Sequence, residues 1–216
     1  MIKWQTINTV LLDMDGTLLD LNFDNHFWQE HIPLRYAQKH GLEIDSAKKT
    51  LFPIFKEREG SMQWYCVDYW SERLDMDIAL LKKEIDHLIA IHPHVLEFLD
   101  RLHQQEINTV LVTNAHQKSL TLKMERTSLH NHLDKVISAH SFGMPKENVQ
   151  FWGKLKHKLA YNNKHTLLID DSLPVLRSAQ QAGIKNLLAV YKPDTCQVRK
   201  DVAEFKAINH FMEIMP

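Results

Sequence analysis

Cysteine is nearly absent from this sequence. The chain holds two, Cys66 and Cys196, far apart and in no CxxC or zinc-type spacing. That argues against a disulfide-framed secreted domain and points to a reducing compartment. Long apolar runs are missing too: none approaches the roughly 20 residues that span a bilayer. The first ten residues, MIKWQTINTV, carry no apolar h-region and no cleavage-like site. Charge of one sign is also lacking, since 26 Lys and Arg balance 27 Asp and Glu for a net charge of -1. Neither a basic nucleic-acid surface nor a polybasic membrane patch is expected. There is no repeat of 20–50 residues and no low-complexity tract. Histidine is plentiful at 14 but scattered. None lie closer than two residues apart, the spacing of His92 and His94, and no His–carboxylate set has metal spacing, so most read as surface residues. These exclusions leave a soluble, cytoplasmic globular protein.

With 216 residues, 44% of them hydrophobic, the chain has room for one large domain or a domain with an insertion. Ile7–Asp13 is a continuous apolar run, as a strand covered on both faces requires. Further runs lie at Ile107–Thr113, His165–Ile169 and Asn186–Tyr191, with a weaker one at Lys135–Ala139. Helical patterns separate them. Val95, Leu96, Phe98, Leu99 and Leu102 recur at helical spacing after Pro93. Leu120–Arg126, Asn148–Leu159 and Pro174–Ala182 follow, the last closed by Gly183. Alternating strands and helices predict a Rossmann-like parallel α/β sheet with helices on both faces. Residues 21–90 differ. They contain no convincing strand, and helix-like stretches at Asn25–His40, Ser46–Arg58, Met62–Leu74 and Ile78–Ile89 break near Gly41, Gly60 and Asp75. The expected organisation is a core formed by residues 1–20 and 91–216, with 21–90 inserted as an all-helical cap.

Ligands of an open parallel sheet bind beyond the carboxyl ends of its strands. The first strand ends in Asp13-Met14-Asp15-Gly16-Thr17, the second in Thr113-Asn114, and the third main strand in Asp170-Asp171-Ser172. The segment after the weak strand carries Lys146. Four carboxylates on one edge repel unless a cation lies among them. Oxygen ligands without Cys or His indicate a hard ion, with Mg²⁺ the usual choice. Thr113, Asn114 and Lys146 are donors of the kind a phosphate needs. The set reads as a phosphoryl-transfer site. Asp13, at the strand end, is the candidate nucleophile. Asp15, returned by a turn at Gly16, is the candidate proton donor and acceptor, with its carbonyl free for the metal. Asp171 and then Asp170 complete the metal ligands. Each piece alone has a plainer reading: an Asp-Gly turn, a surface lysine, a helix cap at Ser172. Their order along the chain is what raises them together.

That order, DxDGT, Thr-Asn, a lone Lys and then Asp-Asp-Ser, resembles the haloacid dehalogenase superfamily of phosphohydrolases. The insertion is similar to that superfamily's helical C1 cap. The stretches LLDMDGTLLDLNFDNHFW, WYCVDYWSE, TNAH, FGMPKE and IDDS further resemble its bacterial GMP/IMP nucleotidases. The resemblance implies Mg²⁺-dependent hydrolysis of a small phosphomonoester, a purine nucleoside 5'-monophosphate, through an aspartyl-phosphate. A phosphosugar phosphatase or phosphomutase shares the same residues, as does a non-hydrolytic signalling domain phosphorylated on Asp. Receiver domains, however, place their acidic pair before the phospho-acceptor, whereas here it comes last. In the insertion, most of Trp64, Tyr65, Tyr69 and Trp70 read as packing. Phe23, Asp24 and Trp28 follow the first motif closely enough to overhang the site, where an aromatic ring stacks on a base. Arg58, Asp68 and His116 are polar candidates for base or ribose contacts.

Overall fold

The structure is a computed structural model and describes residues 2–216. Six strands form one parallel sheet: β1 (Thr9–Leu12), β2 (Asn108–Thr113), β3 (Lys135–Ser138), β4 (Thr166–Ile169), β5 (Asn186–Val190) and β6 (Ala207–Ile208). Their spatial order is β3-β2-β1-β4-β5-β6. β1 therefore lies between β2 and β4, paired in parallel with both. The chain first builds outward to β2 and β3, then returns to the other side of β1. That reversal is the topological switch point at which open α/β sheets form their crevice.

The apolar runs are explained by burial on both faces. Along β1, Val10 and Leu12 join one core cluster and Leu11 joins another. β4 repeats the alternation, with Leu167 and Ile169 on the first face and Leu168 on the second. Side chains alternate with period two, so a strand covered on both sides is apolar on both faces, here after a buried threonine at the start of β1 and of β4. The second cluster is completed by Phe151 and Trp152 of α9 (Val149–Leu159) and by Val175, Leu176 and Ala179 of α10 (Leu173–Gln181). The first cluster takes Phe98, Leu99 and Leu102 from α7 (Val95–Gln104). It then continues without a break into the helical segment, through Phe23, Phe27, Leu51, Phe55 and Trp70.

Between β1 and α7 every regular element is helical: α1 (Asn22–His26), a π-helical turn (Phe27–His31), α2 (Ile32–His40), α3 (Ile44–Arg58), α4 (Met62–Tyr65), α5 (Val67–Leu74) and α6 (Ile78–Glu84), followed by a short 3₁₀ turn, Asp86–Leu88. The widened turn precedes Pro33, which has no N–H to donate and crowds the preceding turn. Breaks occur at residues with left-handed backbone: Gly41 at φ 63°, Gly60 at 76° and Asp75 at 51°. Met62–Leu74 divides at Cys66, whose half-buried thiol accepts from Tyr69 N at 3.4 Å. Cys66 therefore caps α5 and is not simply a small apolar residue.

Two sequence expectations shift, and one strand is additional. α7 begins at Val95, after Pro93, because His94 has a left-handed backbone at φ 64°, and Leu96 points outward. Ser172 occupies the N-cap position of α10, yet its side chain makes no capping bond; Pro174 removes one of the two amides such a cap serves. β6 has only two residues and so carries no periodicity to recognise. No helix among the described residues is long and apolar enough to cross a membrane.

Trp152 links this packing to the sheet edge. It is 1% exposed, and its indole N–H donates to Lys146 O at 3.0 Å and to Ser178 Oγ at 2.8 Å. Trp152→Phe removes the donor and leaves a small void. Denaturant unfolding is expected to show a loss of about 2–4 kcal/mol, and an unchanged midpoint would contradict this account of the packing.

Candidate active site

The site is assembled where β1, β2 and β4 end. After Leu12 the chain tightens: Leu18 N and Leu19 N both donate to Met14 O, at 3.0 and 2.8 Å, and Gly16 N donates to Leu19 O at 2.7 Å. Gly16 has φ 86°, and a Cβ there would lie 2.9 Å from Asp171 Cγ. Any other residue would strain the turn and push against an acid of the site. The turn thus brings the first motif close against Asp171.

Asp13, Asp170 and Asp171 each offer a carboxylate oxygen, and these oxygens lie within 4.8 Å of one another. Lys146 is 2% exposed and stands between the first two. Its Nζ donates to Asp13 Oδ1, to Asp170 Oδ2 at 2.7 Å and to Val112 O at 3.0 Å. Asp170 also accepts from Ser172 N at 2.9 Å. Lys200, from the loop after β5, donates to Asp171 O at 2.6 Å and reaches Asp171 Oδ2 at 3.2 Å. Burial pushes Asp13, Asp170 and Asp171 up to about 6 each; the nearby lysines only partly oppose it. Burial works against the Lys146 ammonium too, but Asp13 and Asp170 outweigh it and hold the lysine charged. Two buried acids and a half-buried third, offering oxygen ligands alone, suit a hard divalent cation such as Mg²⁺.

Asp15 faces elsewhere. Its carboxylate is outside that cluster, and Oδ1 accepts from Lys123 Nζ at 2.6 Å. Lys123 lies on α8 (Gln117–Thr127) and also donates to Asp24 Oδ2 at 2.5 Å. Asp24 in turn accepts from Lys82 of α6 at 2.9 Å. Burial raises Asp15 to about 6 against the pull of Lys123. Burial acts on Asp24 as well, but Lys123 and Lys82 together overcome it and hold Asp24 down to about 2.

Thr113 and Asn114 sit at the end of β2. Thr113 Oγ1 accepts from Ala115 N at 2.9 Å. Asn114 accepts from Lys146 N and donates to Glu147 Oε2, both at 2.9 Å. Glu147 also receives the Tyr65 hydroxyl of α4 at 2.5 Å, a bond that joins the helical segment to the sheet edge. Above these residues opens a cleft of about 1110 Å³, lined by Asp13, Asp15, Thr113, Asn114, Lys146, Asp170 and Asp171 together with Trp28, Trp64 and Tyr65 from the helices.

Of the candidates in the helical segment and beyond, Asp24, Trp28 and His116 line the cleft. Asp24 is already held by two lysines. Trp28 packs 6.0 Å from Trp64 and 5.6 Å from Trp70, centroid to centroid. Phe23, Arg58 and Asp68 are not part of its wall. Phe23 is buried with its ring 4.9 Å from Lys82 Nζ, Arg58 reaches Gln63, and Asp68 is an exposed partner of Lys118 at 2.7 Å. Sequence reasoning missed Lys123, Lys82, Lys200, Tyr65 as a site residue, and Glu147. Lys123 and Lys82 did leave a signal. Each lies on the buried face of its helix, Lys123 beside Leu120 and Met124 and Lys82 four residues after Ile78. Helical spacing calls for an apolar side chain at both places.

Comparison with known proteins bears on the family and the fold. The family model for haloacid dehalogenase-like hydrolases matches residues 10–189. The GMP/IMP nucleotidase YrfG of Escherichia coli is 37% identical over 215 residues, which is 100% of this chain and 97% of that protein. The pyrophosphatase PpaX of Halalkalibacterium halodurans is 23% identical over 194 residues, 86% of this chain and 84% of that one. Among solved structures, a HAD phosphatase from Thermococcus onnurineus shares the fold with a TM-score of 0.77 at 19% identity, covering 96% of this chain and 95% of that one. With a sheet-edge acid cluster, a matching model over most of its length and a full-length relative, the chain belongs to the haloacid dehalogenase-like hydrolase family.

Proposed function

We propose that the protein is a Mg²⁺-dependent phosphomonoester hydrolase that works through an aspartyl-phosphate on Asp13, with a purine nucleoside 5'-monophosphate as substrate. The observation that carries the chemistry is the sharing of Lys146 between Asp13 and Asp170, with Asp171 alongside, at the mouth of a large cleft. The substrate class rests on the full-length likeness to a GMP/IMP nucleotidase. Trp28 and Trp64 supply an aromatic wall suited to a base. Residues 21–90 serve as the cap, set over the strand ends and excluding water during transfer. The free cysteines fit a cytoplasmic setting.

In this reading an Asp13 carboxylate oxygen attacks phosphorus. The new O–P bond forms as the ester O–P bond breaks, and Asp15 gives its proton to the departing alcohol oxygen. Asp15, now a carboxylate, takes a proton from water. The water oxygen bonds phosphorus, the aspartyl O–P bond breaks, and Asp13 and inorganic phosphate are released. Lys146 reduces the repulsion between the carboxylate and the phosphate, with Thr113 and Asn114 as phosphate donors. Asp13, Asp170, Asp171 and the Asp15 carbonyl would hold Mg²⁺, which offsets the charge on the phosphate oxygens and the acids.

Three outcomes are expected. Asp13→Asn keeps the side-chain shape but cannot form the acyl phosphate, so turnover should fall at least ~10³-fold with an unchanged circular dichroism spectrum. Substantial residual hydrolysis would sink the mechanism. In a phosphate-release screen with Mg²⁺, GMP and IMP should exceed CMP and UMP; equal rates would remove the purine assignment alone. The acids whose folded pKa is raised from 3.8 to about 6 contribute stability below pH 4 that is lost as pH rises through 6. In chelator the melting temperature should therefore fall between pH 4 and 7. Mg²⁺ at about 100 times its Kd should restore about 5–10 °C at pH 7. No shift on adding Mg²⁺ would argue against the cation site.

A further inference from the structure

Asp15 is the proton-transfer group of the proposed hydrolase, and nothing in that reaction explains what surrounds it. Among the described residues, Lys123 is the side chain that hydrogen-bonds its carboxylate. Lys123 is buried, with 2% of its side chain exposed, and it comes from α8, an element otherwise outside the reaction. The same ammonium holds Asp24 of α1 at 2.5 Å. Asp24 is held in turn by Lys82 of α6, whose Nζ lies 4.3 Å from the centre of the Phe27 ring and 4.9 Å from that of Phe23. Four buried or largely buried charges thus alternate in sign: Asp15, Lys123, Asp24, Lys82. The chain runs from the turn after β1 across α8 into two helices of the inserted segment.

We propose that Lys123 is the positioning residue for Asp15, and that Asp24 makes this positioning depend on the helical segment being seated. The inference rests on the hydrolase reading above. Lys123 fixes where the Asp15 carboxylate points, because a charge-assisted bond between buried groups is short and directional. Asp24 takes a second bond of the same ammonium, so Lys123 holds its place only while α1 is docked. Lys82 and the rings under it hold Asp24. If α1 and α6 lift away, Lys123 loses one of its two anchors and Asp15 loses its fixed direction. The acid would then be set only when the cleft is covered, which limits reaction with free water. A pair serving stability alone needs no such chain, since apolar side chains of similar size usually replace a buried ion pair without loss.

Positioning and simple stability differ in what they do to two kinds of ester. An alcohol leaving group such as a nucleoside needs a proton from Asp15. A p-nitrophenol leaving group departs without one. The ratio kcat/KM covers the steps through phosphoryl transfer to Asp13 and excludes the later attack of water. The test is kcat/KM for GMP and for p-nitrophenyl phosphate, with saturating Mg²⁺, in the wild type, Lys123→Met and Asp24→Asn. Lys123→Met should lower the GMP value by about 10²-fold, the lower range of general acid catalysis, and change the p-nitrophenyl phosphate value less than about threefold. Asp24→Asn should show the same selectivity at about tenfold, and it decides the matter if Lys123→Met does not fold. Equal losses on both substrates, or no loss on GMP, would overturn the positioning role. A selective Lys123→Met beside an unaffected Asp24→Asn would overturn the link to the helical segment. A wild type that releases phosphate from neither ester removes the hydrolase reading itself and this inference with it; an active wild type with unselective variants removes the inference alone.

Discussion

Too much negative charge in one dry place is the constraint around which this molecule is arranged. Asp13, Asp170 and Asp171 meet at the carboxyl ends of β1 and β4, and Asp15 lies to one side with Asp24, which reaches the same lysine from the helical segment. Each is matched to a lysine. Asp13 and Asp170 share Lys146, Asp171 leans on Lys200, and Asp15 and Asp24 share Lys123 with Lys82 behind. The lysines do not cancel the cost: burial still leaves four of the acids near 6. A group of acids left costly to ionise is a strong attractor for a divalent cation and a natural place for phosphate chemistry.

The rest of the fold supplies the rigidity this arrangement needs. Lys146 is anchored by its carbonyl, which accepts from Trp152 and from Ser178 Oγ at 2.6 Å. Asn114 fixes its backbone N–H. Gly16 brings the first motif against Asp171 at a distance no side chain would allow. One face of the sheet and the inner face of the helical segment share a single apolar cluster. The helices are therefore joined to the sheet both by oil-like packing and by the polar ties Tyr65–Glu147, Asp24–Lys123 and Asn25–Asp194, the last at 2.7 Å.

Much of this was legible before any coordinates. The apolar runs at 7–13, 107–113 and 165–169 contain β1, β2 and β4, because strands buried on two faces are apolar on both, with threonine as their buried polar residue. The breaks at Gly41, Gly60 and Asp75 mark helix ends because a left-handed residue stops a helix. Asp13, Thr113, Asn114, Lys146, Asp170 and Asp171 were readable because a parallel sheet delivers every strand end to the same edge. Arg58 and Asp68 carry charge, and charge on a helix does not say which way the helix faces. Phe23 sits near the first motif in sequence, yet its ring turns inward beneath Lys82. β6 was too short to leave a pattern.

By itself, the sequence determined the order of the main strands and helices and which acids stand at the strand ends, since these follow from local periodicity and from the rule that strands of one parallel sheet end together. Only the tertiary structure decided which lysine meets which acid. Lys123 and Lys82 are 108 and 58 residues from their partners Asp15 and Asp24. No local rule links positions that far apart; helix packing brings them together, and burial then makes their charges matter. The same holds for Asp15. Its place in the motif marked it as a candidate, but its partner is an ammonium that arrives from α8.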